Sequence, residues 1–182
     1  VQGYQWGFKP RHGHEYYWAL DWGQSYHGLL IEHSRLIPAT ERVDPLGGYD
    51  IVFHEVVEDD VQDETFLEAL REDTIKLGLT WTDMKAWADY NPRDAVILAN
   101  QKRFFDGHCW AKRVGPEADK ESGINTVRGR LLDHDGVRRL RFAPALRHTD
   151  SERRILRCMT SYKRVDKEVD GQTVRFGVNQ KS

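Results

Sequence analysis

Residues 15–22, Glu-Tyr-Tyr-Trp-Ala-Leu-Asp-Trp, run almost without a polar interruption until Asp21. A short run that is apolar at both odd and even positions is the pattern of a strand covered on both faces. Such a strand belongs inside a sheet with further layers above and below it, so the chain is expected to build an α/β fold around this segment. Gly23-Gln24-Ser25 leaves room only for a tight turn. That makes Tyr26–His33 a second strand, antiparallel to the first. Loop residues at Pro38 and Pro45-Leu46-Gly47-Gly48 precede a third strand over Asp50–Val57, with Ile51, Phe53 and Val57 assigned to one face.

The period then changes. Leu67, Leu70 and Leu77 recur at helical spacing, Asp63 and Glu64 sit where a helix N-terminus favours acids, and Gly78 is a stop, so a helix is expected over Asp63–Leu77. Met84–Asp89 reads as a fourth strand, and Asn91-Pro92 opens a helix running to about Phe104. His108–Val114 reads as a fifth strand. A helix over about 120–132 places Ile124, Val127 and Leu131 on its inner stripe, and Arg139–Phe142 is a short strand. Thr149 and Glu152 form a capping-box pattern for a helix that turns Ile155, Met159 and Tyr162 inward. Lys163–Val178 reads as a hairpin about Asp170-Gly171. Three antiparallel strands followed by alternating helices and parallel strands, with helices on both faces, is the RNase H-like mixed sheet. Residues 1–14, rich in Gly, aromatics and His, read as a linker or entry segment, and 15–182 as one domain.

Composition narrows the setting. No apolar stretch approaches the roughly 20 residues that span a bilayer. The start, Val1-Gln2-Gly3-Tyr4, has neither the charged nor the apolar part of a secretion signal and no initiator Met, so the N-terminus is expected to be cut from a longer chain. Two isolated cysteines, Cys109 and Cys158, fit a reducing cytoplasm. The net charge of −2 hides an asymmetry: residues 1–91 hold 7 Lys and Arg against 17 Asp and Glu, and residues 92–182 hold 20 against 12. Acidic metal ligands in one half and phosphate-binding cations in the other is one reading; two ordinarily solvated faces is the other.

Asp21 ends an apolar strand, where a carboxylate needs a partner or a metal, although a turn-capping role also fits. Asp89 repeats the pattern at the end of Ala86-Trp87-Ala88-Asp89. In this topology the first and fourth strands are parallel neighbours, so both acids fall at one edge of the sheet, where ligands bind in open α/β sheets. Two close carboxylates repel unless a cation lies between them, and an all-oxygen donor set suits Mg²⁺ or Mn²⁺. Two such ions about 4 Å apart serve phosphodiester hydrolysis.

These segments resemble one family, the nuclease domain of tailed-phage large terminases, the motor subunits that package DNA. Leu20-Asp21-Trp22-Gly23 resembles its first acidic motif and Ala88-Asp89-Tyr90-Asn91-Pro92 its second. Lys120-Glu121-Ser122-Gly123-Ile124-Asn125-Thr126-Val127 resembles the segment that follows, and Cys158-Met159-Thr160-Ser161-Tyr162-Lys163 the helix leading to the last hairpin. The resemblance implies a metal-dependent endonuclease that cuts concatemeric double-stranded DNA in the host-cell cytoplasm. Its implied partners are an ATPase motor domain in the same natural chain, the portal and the small terminase subunit. The family completes its site with a third acid in a His-x-x-Asp pattern, and none of the eight His here has an Asp three residues on. The expectation is that this acid lies beyond Ser182, the domain being truncated at both ends, and that the fragment as it stands cuts weakly. Asp150 reads better as a capping residue, and Asp166 and Asp170 as hairpin residues. No phosphate-binding Gly-x-x-x-x-Gly-Lys-Ser/Thr loop is present, so ATP binding is not expected of this segment.

Further candidates are Glu55 on the third strand and Glu64 and Glu68 on the first helix, each of which also reads as a solvated position. Lys120, Arg128 and Arg130 are candidate DNA-phosphate contacts within the basic half. Two other functions stay open. One is a different RNase H-like nuclease of the resolvase type; a proofreading exonuclease would need Asp-x-Glu on the first strand, and position 23 is Gly. The other is a non-catalytic DNA-binding or assembly module of the same fold.

Overall fold

The computed structural model describes residues 10–11, 13–22, 25–36, 43–44, 47–90, 95–106, 108–113, 125–132, 134, 136–147, 155–156, 159, 162–169 and 172–179, with the backbone alone for 22, 89–90, 95–98, 109–113, 145, 147 and the last two segments. Strands β1 (Glu15–Trp22), β2 (Ser25–Ser34) and β3 (Tyr49–Asp59) form an antiparallel meander. β4 (Lys85–Tyr90) pairs with the other side of β1 in parallel, and β5 (Cys109–Arg113) pairs in parallel with β4. β6 (Leu140–Phe142) adds to β3 in parallel, giving one six-stranded sheet of order β5-β4-β1-β2-β3-β6. The apolar run at 15–22 thus lies in the interior of the sheet.

One face carries the larger core. Helix α1 (Asp63–Lys76) lays Phe66, Leu67 and Leu70 on Trp18, Leu20, Leu30, Phe53 and Val56. Helix α2 (Ala95–Phe104) brings Phe104 and the following Phe105 to the same cluster, where both rings pack on Trp81. Trp18 is fully buried, and its indole N–H donates to Thr74 Oγ1 at 3.0 Å. Gly28 of β2 is what lets α1 press so close: a Cβ there would stand 2.7 Å from Leu70 Cδ2. α1 ends as its sequence predicts. Gly78 takes φ +79°, its N–H reaches Ile75 O, and the N–H of Leu79 reaches Thr74 O, a Schellman closure. At the other end Asp63 is buried beside the amides of Asn100 and Gln101; burial pushes its carboxyl up more than those amides hold it down.

The second face carries a smaller core, Ile31, Val52 and Leu146, with Tyr17, Ala19, Leu29, Leu140, Phe142 and Leu156 packed around it. It is covered by the 3-10 turn Pro144–Arg147 and the helical residues 155–156.

Three assignments need correction. The β2–β3 register passes from Leu30↔His54 to Ile31↔Val52, so Phe53 is an extra residue in a bulge. The alternation shifts there, and Val56 joins Phe53 in the core in place of Val57. Val127, expected on the inner stripe of its helix, is 40% exposed on the helical segment 125–131. Tyr162 begins β7 (Tyr162–Val169), which pairs with β8 (Gln172–Asn179) as the expected hairpin, rather than closing the preceding helix. The capping residues Thr149 and Glu152 lie outside the described residues.

Polar ties join the layers. His54 Nε2 and Asp73 Oδ2 are 2.8 Å apart, linking β3 to α1. Burial works to raise the Asp73 carboxyl, but the hydrogen bond and charge of His54, with help from Lys76, outweigh it and hold the group below its ordinary value. A depressed carboxyl stabilises the fold above its unfolded pKa, near 4, and that contribution disappears as pH falls through the lower folded value. Urea midpoints measured from about pH 6 down to about pH 3 should therefore drop less for Asp73→Asn than for the parent chain. Equal acid sensitivity in the two would remove Asp73 from the account. Nearby, two residues along β2 from the partner of His54, Glu32 is 1% exposed and receives Arg11 at 2.6 Å and His14 at 2.5 Å. The Arg11 N–H also donates to Tyr16 Oη at 2.7 Å, so the entry segment is clasped onto the sheet.

Candidate active site

Parallel pairing of β1 and β4 places Leu20 beside Ala88, and Asp21 and Asp89 are the next residue of each strand. Neighbouring strands lie about 4.8 Å apart, so the two backbone positions are adjacent at the carboxyl ends of both strands. Leu20 and Ala88 belong to the core beneath α1. Successive strand residues face opposite sides, so positions 21 and 89 fall on the second face. There Asp21 is exposed, open to a ligand from solvent.

The row extends across the sheet. Asp21 pairs directly with His27 of β2, and Asp89 pairs with Lys112 of β5. Read from β5 to β2, the row is Lys112, Asp89, Asp21, His27. It runs from a cation through two carboxylates to an imidazole. On the same face, two residues before Asp89, Trp87 of β4 pairs with Ala19 and is 51% exposed. The chemistry of this donor set fits a hard or borderline divalent cation. Among the described residues, no group of three or more His, Cys, Asp and Glu comes together to hold a metal.

The remaining candidates are dispersed. Glu55 is on the second face, opposite Leu29, but two strands from Asp21. It is buried, and its Oε1 accepts the N–H of Ile155 at 2.6 Å, which ties β3 to the cover of that face. Glu64 and Glu68 lie on the solvent side of α1, and Glu68 faces Arg71 at 3.5 Å. α1 itself packs on the opposite face from Asp21. Arg128 is exposed on the segment 125–131. Arg130 donates to Asp50 Oδ2 at 2.6 Å and to Gly48 O at 3.3 Å, and Asp50 also meets His33 at 2.8 Å. Asp50 pairs with His33, six β2 residues from His27, which puts Arg130 roughly 20 Å from the acidic row at about 3.3 Å per residue. Asp166 is in β7. Lys120, Asp150 and Asp170 lie outside the described residues. Sequence reasoning gave His27 and Lys112 no role. The short turn after Trp22 was the available signal for His27, because pairing across it sets position 27 against position 21.

No protein-family model and no curated protein sequence matches this chain. Solved structures do. The large terminase of a thermophilic bacteriophage superposes with a TM-score of 0.59 at 15% identity, over 92% of this chain and 36% of that one. The large-terminase nuclease domain of bacteriophage SPP1, solved with bound Mn, gives 0.51 at 13% identity over 88% of this chain and 75% of its own. The large-terminase nuclease of a second thermophilic phage, G20c, solved with bound cobalt, gives 0.51 at 14% identity over 96% and 77%. The chain thus spans about a third of the first of these terminases. With its β1-centred mixed sheet and parallel β1–β4 pair, the chain has the RNase H-like fold of these phage terminase nuclease domains.

Proposed function

We propose that this chain is the metal-dependent endonuclease domain of a phage DNA-packaging terminase, acting on double-stranded DNA. One observation carries the reading: Asp21 and Asp89 end two parallel neighbouring strands, at the edge where sheets of this kind bind ligands. The two carboxylates would hold Mg²⁺ or Mn²⁺, and the ions, when bound, supply an activated water and neutralise charge on the leaving oxygen. The chain's own part is to fix the two acids. Both lie on rigid strands backed by Trp18 and Ala86, which are fully buried, so the ligand geometry is set before substrate arrives. The exposed face around Trp87 leaves the row open to a duplex, and the basic half, with Lys120 and Arg128, supplies phosphate contacts. An ATPase motor, a portal and a small subunit would be its partners, and the host-cell cytoplasm its setting. No helix among the described residues is long and apolar enough to cross a membrane.

Supercoiled plasmid incubated with Mn²⁺ tests the reading. The parent chain should nick it slowly but measurably. Asp21→Ala and Asp89→Ala should each lower the rate by at least about 100-fold, since even indirect supports of a metal ligand cost 10–100-fold. Equal cutting by all three proteins would refute the site. DNA retention without cutting under Mg²⁺ or Mn²⁺ would instead identify a binding module of the same fold.

A further inference from the structure

The row that carries the two acids does not end at them. β2 continues it with His27, directly opposite Asp21 in an antiparallel pair. Residues so paired share a face, with Cβ atoms about 4.5–5.5 Å apart. The neighbouring Gly28 fixes the side: a Cβ on it would point into Leu70, Phe66 and Trp18 beneath α1, so His27 faces the other way, with Asp21. His27 is partly exposed, and Ser25, at the start of the same strand, is also open to solvent in part. An imidazole on this spacing reaches an ion held by Asp21, since metal–nitrogen bonds are near 2.1 Å and the side chain spans the rest.

We propose that His27 is a nitrogen ligand of the divalent ion bound at Asp21, which makes this a mixed oxygen–nitrogen centre. The inference rests on the metal-site reading given under the proposed function, and deepens it. A nitrogen donor has a chemical consequence. Mg²⁺ prefers all-oxygen coordination and keeps its waters, whereas Mn²⁺ and Co²⁺ accept imidazole readily. The site should therefore select Mn²⁺ or Co²⁺ over Mg²⁺ by more than two carboxylates alone would. Glu55 is less well placed: it lies one strand further away, and its Oε1 accepts the Ile155 N–H.

The test is spectroscopic and needs no turnover. Mn²⁺ is added to the parent chain, and electron spin-echo modulation reads ¹⁴N coupling to the bound ion. The expected result is a ¹⁴N signal that disappears in His27→Ala and in His27→Gln, with Mn²⁺ still bound through Asp21. Competition by Mg²⁺ should become about tenfold easier in both variants, the lower end of the effect of altering a metal's surroundings. Two variants guard against a misfolded one, and circular dichroism shows which is folded. Bound Mn²⁺ without ¹⁴N coupling in the parent, or coupling that survives in a folded His27 variant, overturns the His27 assignment while leaving the acids in place. Mn²⁺ binding that is unchanged in Asp21→Ala overturns the metal site itself, and His27 with it.

Discussion

Trp18→Ala should cost about 3–5 kcal/mol, a large share of the roughly 5–15 kcal/mol that holds a domain of this size together. Trp18 is fully buried, on β1, in the larger core. Truncation would remove its whole ring from contact with that core and leave a cavity that α1 and the sheet can only partly close. It would also take away the donor to Thr74 Oγ1, although that hydroxyl still donates to Leu70 O at 2.7 Å. Trp18→Phe keeps one aromatic ring in the core while losing the N–H and the fused five-membered ring, so its cost should be smaller, about 1–3 kcal/mol. Urea unfolding followed by far-ultraviolet circular dichroism measures both. A loss under about 1 kcal/mol for the alanine variant would mean that the core of this face does not depend on Trp18. The position has a functional edge as well. Asp21 lies three residues further along the same strand, so whatever loosens β1 against α1 also loosens the strand that carries it.

Removing both side chains that hold Glu32 should cost about as much. Arg11→Ala with His14→Ala leaves a carboxylate that is 1% exposed without the guanidinium and the imidazole beside it. Breaking a buried pair from one side costs about 3–5 kcal/mol, and the half-exposed Arg11 places this case near the lower end. The signature is in the rescue. Adding Glu32→Gln removes the stranded charge and should restore most of the lost stability, whereas simple loss of packing would not be restored. No recovery in the triple variant would show that the clasp is not electrostatic. The same experiment reports on the entry segment, because residues 10–14 are held to the sheet by these contacts.

The sheet centre was legible because a residue run apolar at both parities has only one comfortable environment. The adjacency of positions 21 and 89 was legible for a related reason, since each is a single acid closing such a run on neighbouring strands. Phe53 was not, since a bulge leaves the composition of a strand unchanged and shifts only its phase. Val127 followed a good helical stripe, yet the described part of its helix leaves it exposed, and a stripe read from sequence does not say how deep the packing goes. Arg130 counted as one more cation in a basic half, and its engagement by Asp50 and Gly48 O depends on segments about eighty residues apart in the chain. The Glu32 clasp is invisible for the same reason. His27 lay between these cases: its register against Asp21 follows from a short turn, but its chemistry matters only once the opposite residue is seen as a ligand.

The two faces of the sheet divide stiffness from compliance. The strands that aim Asp21 and Asp89 are braced from behind by α1 and α2 through the larger core. The face on which positions 21 and 89 fall holds, among the described residues, three buried apolar side chains ringed by six partly buried ones, with Glu55 and the Ile155 N–H as a polar tie. Among the described residues that side buries fewer apolar side chains than the other, so local opening there costs less. On the proposed reading, DNA would then be met by the more lightly packed face while the two strand ends stay braced from the rear. Adaptation and alignment are assigned to opposite sides of one sheet, and neither has to be traded against the other.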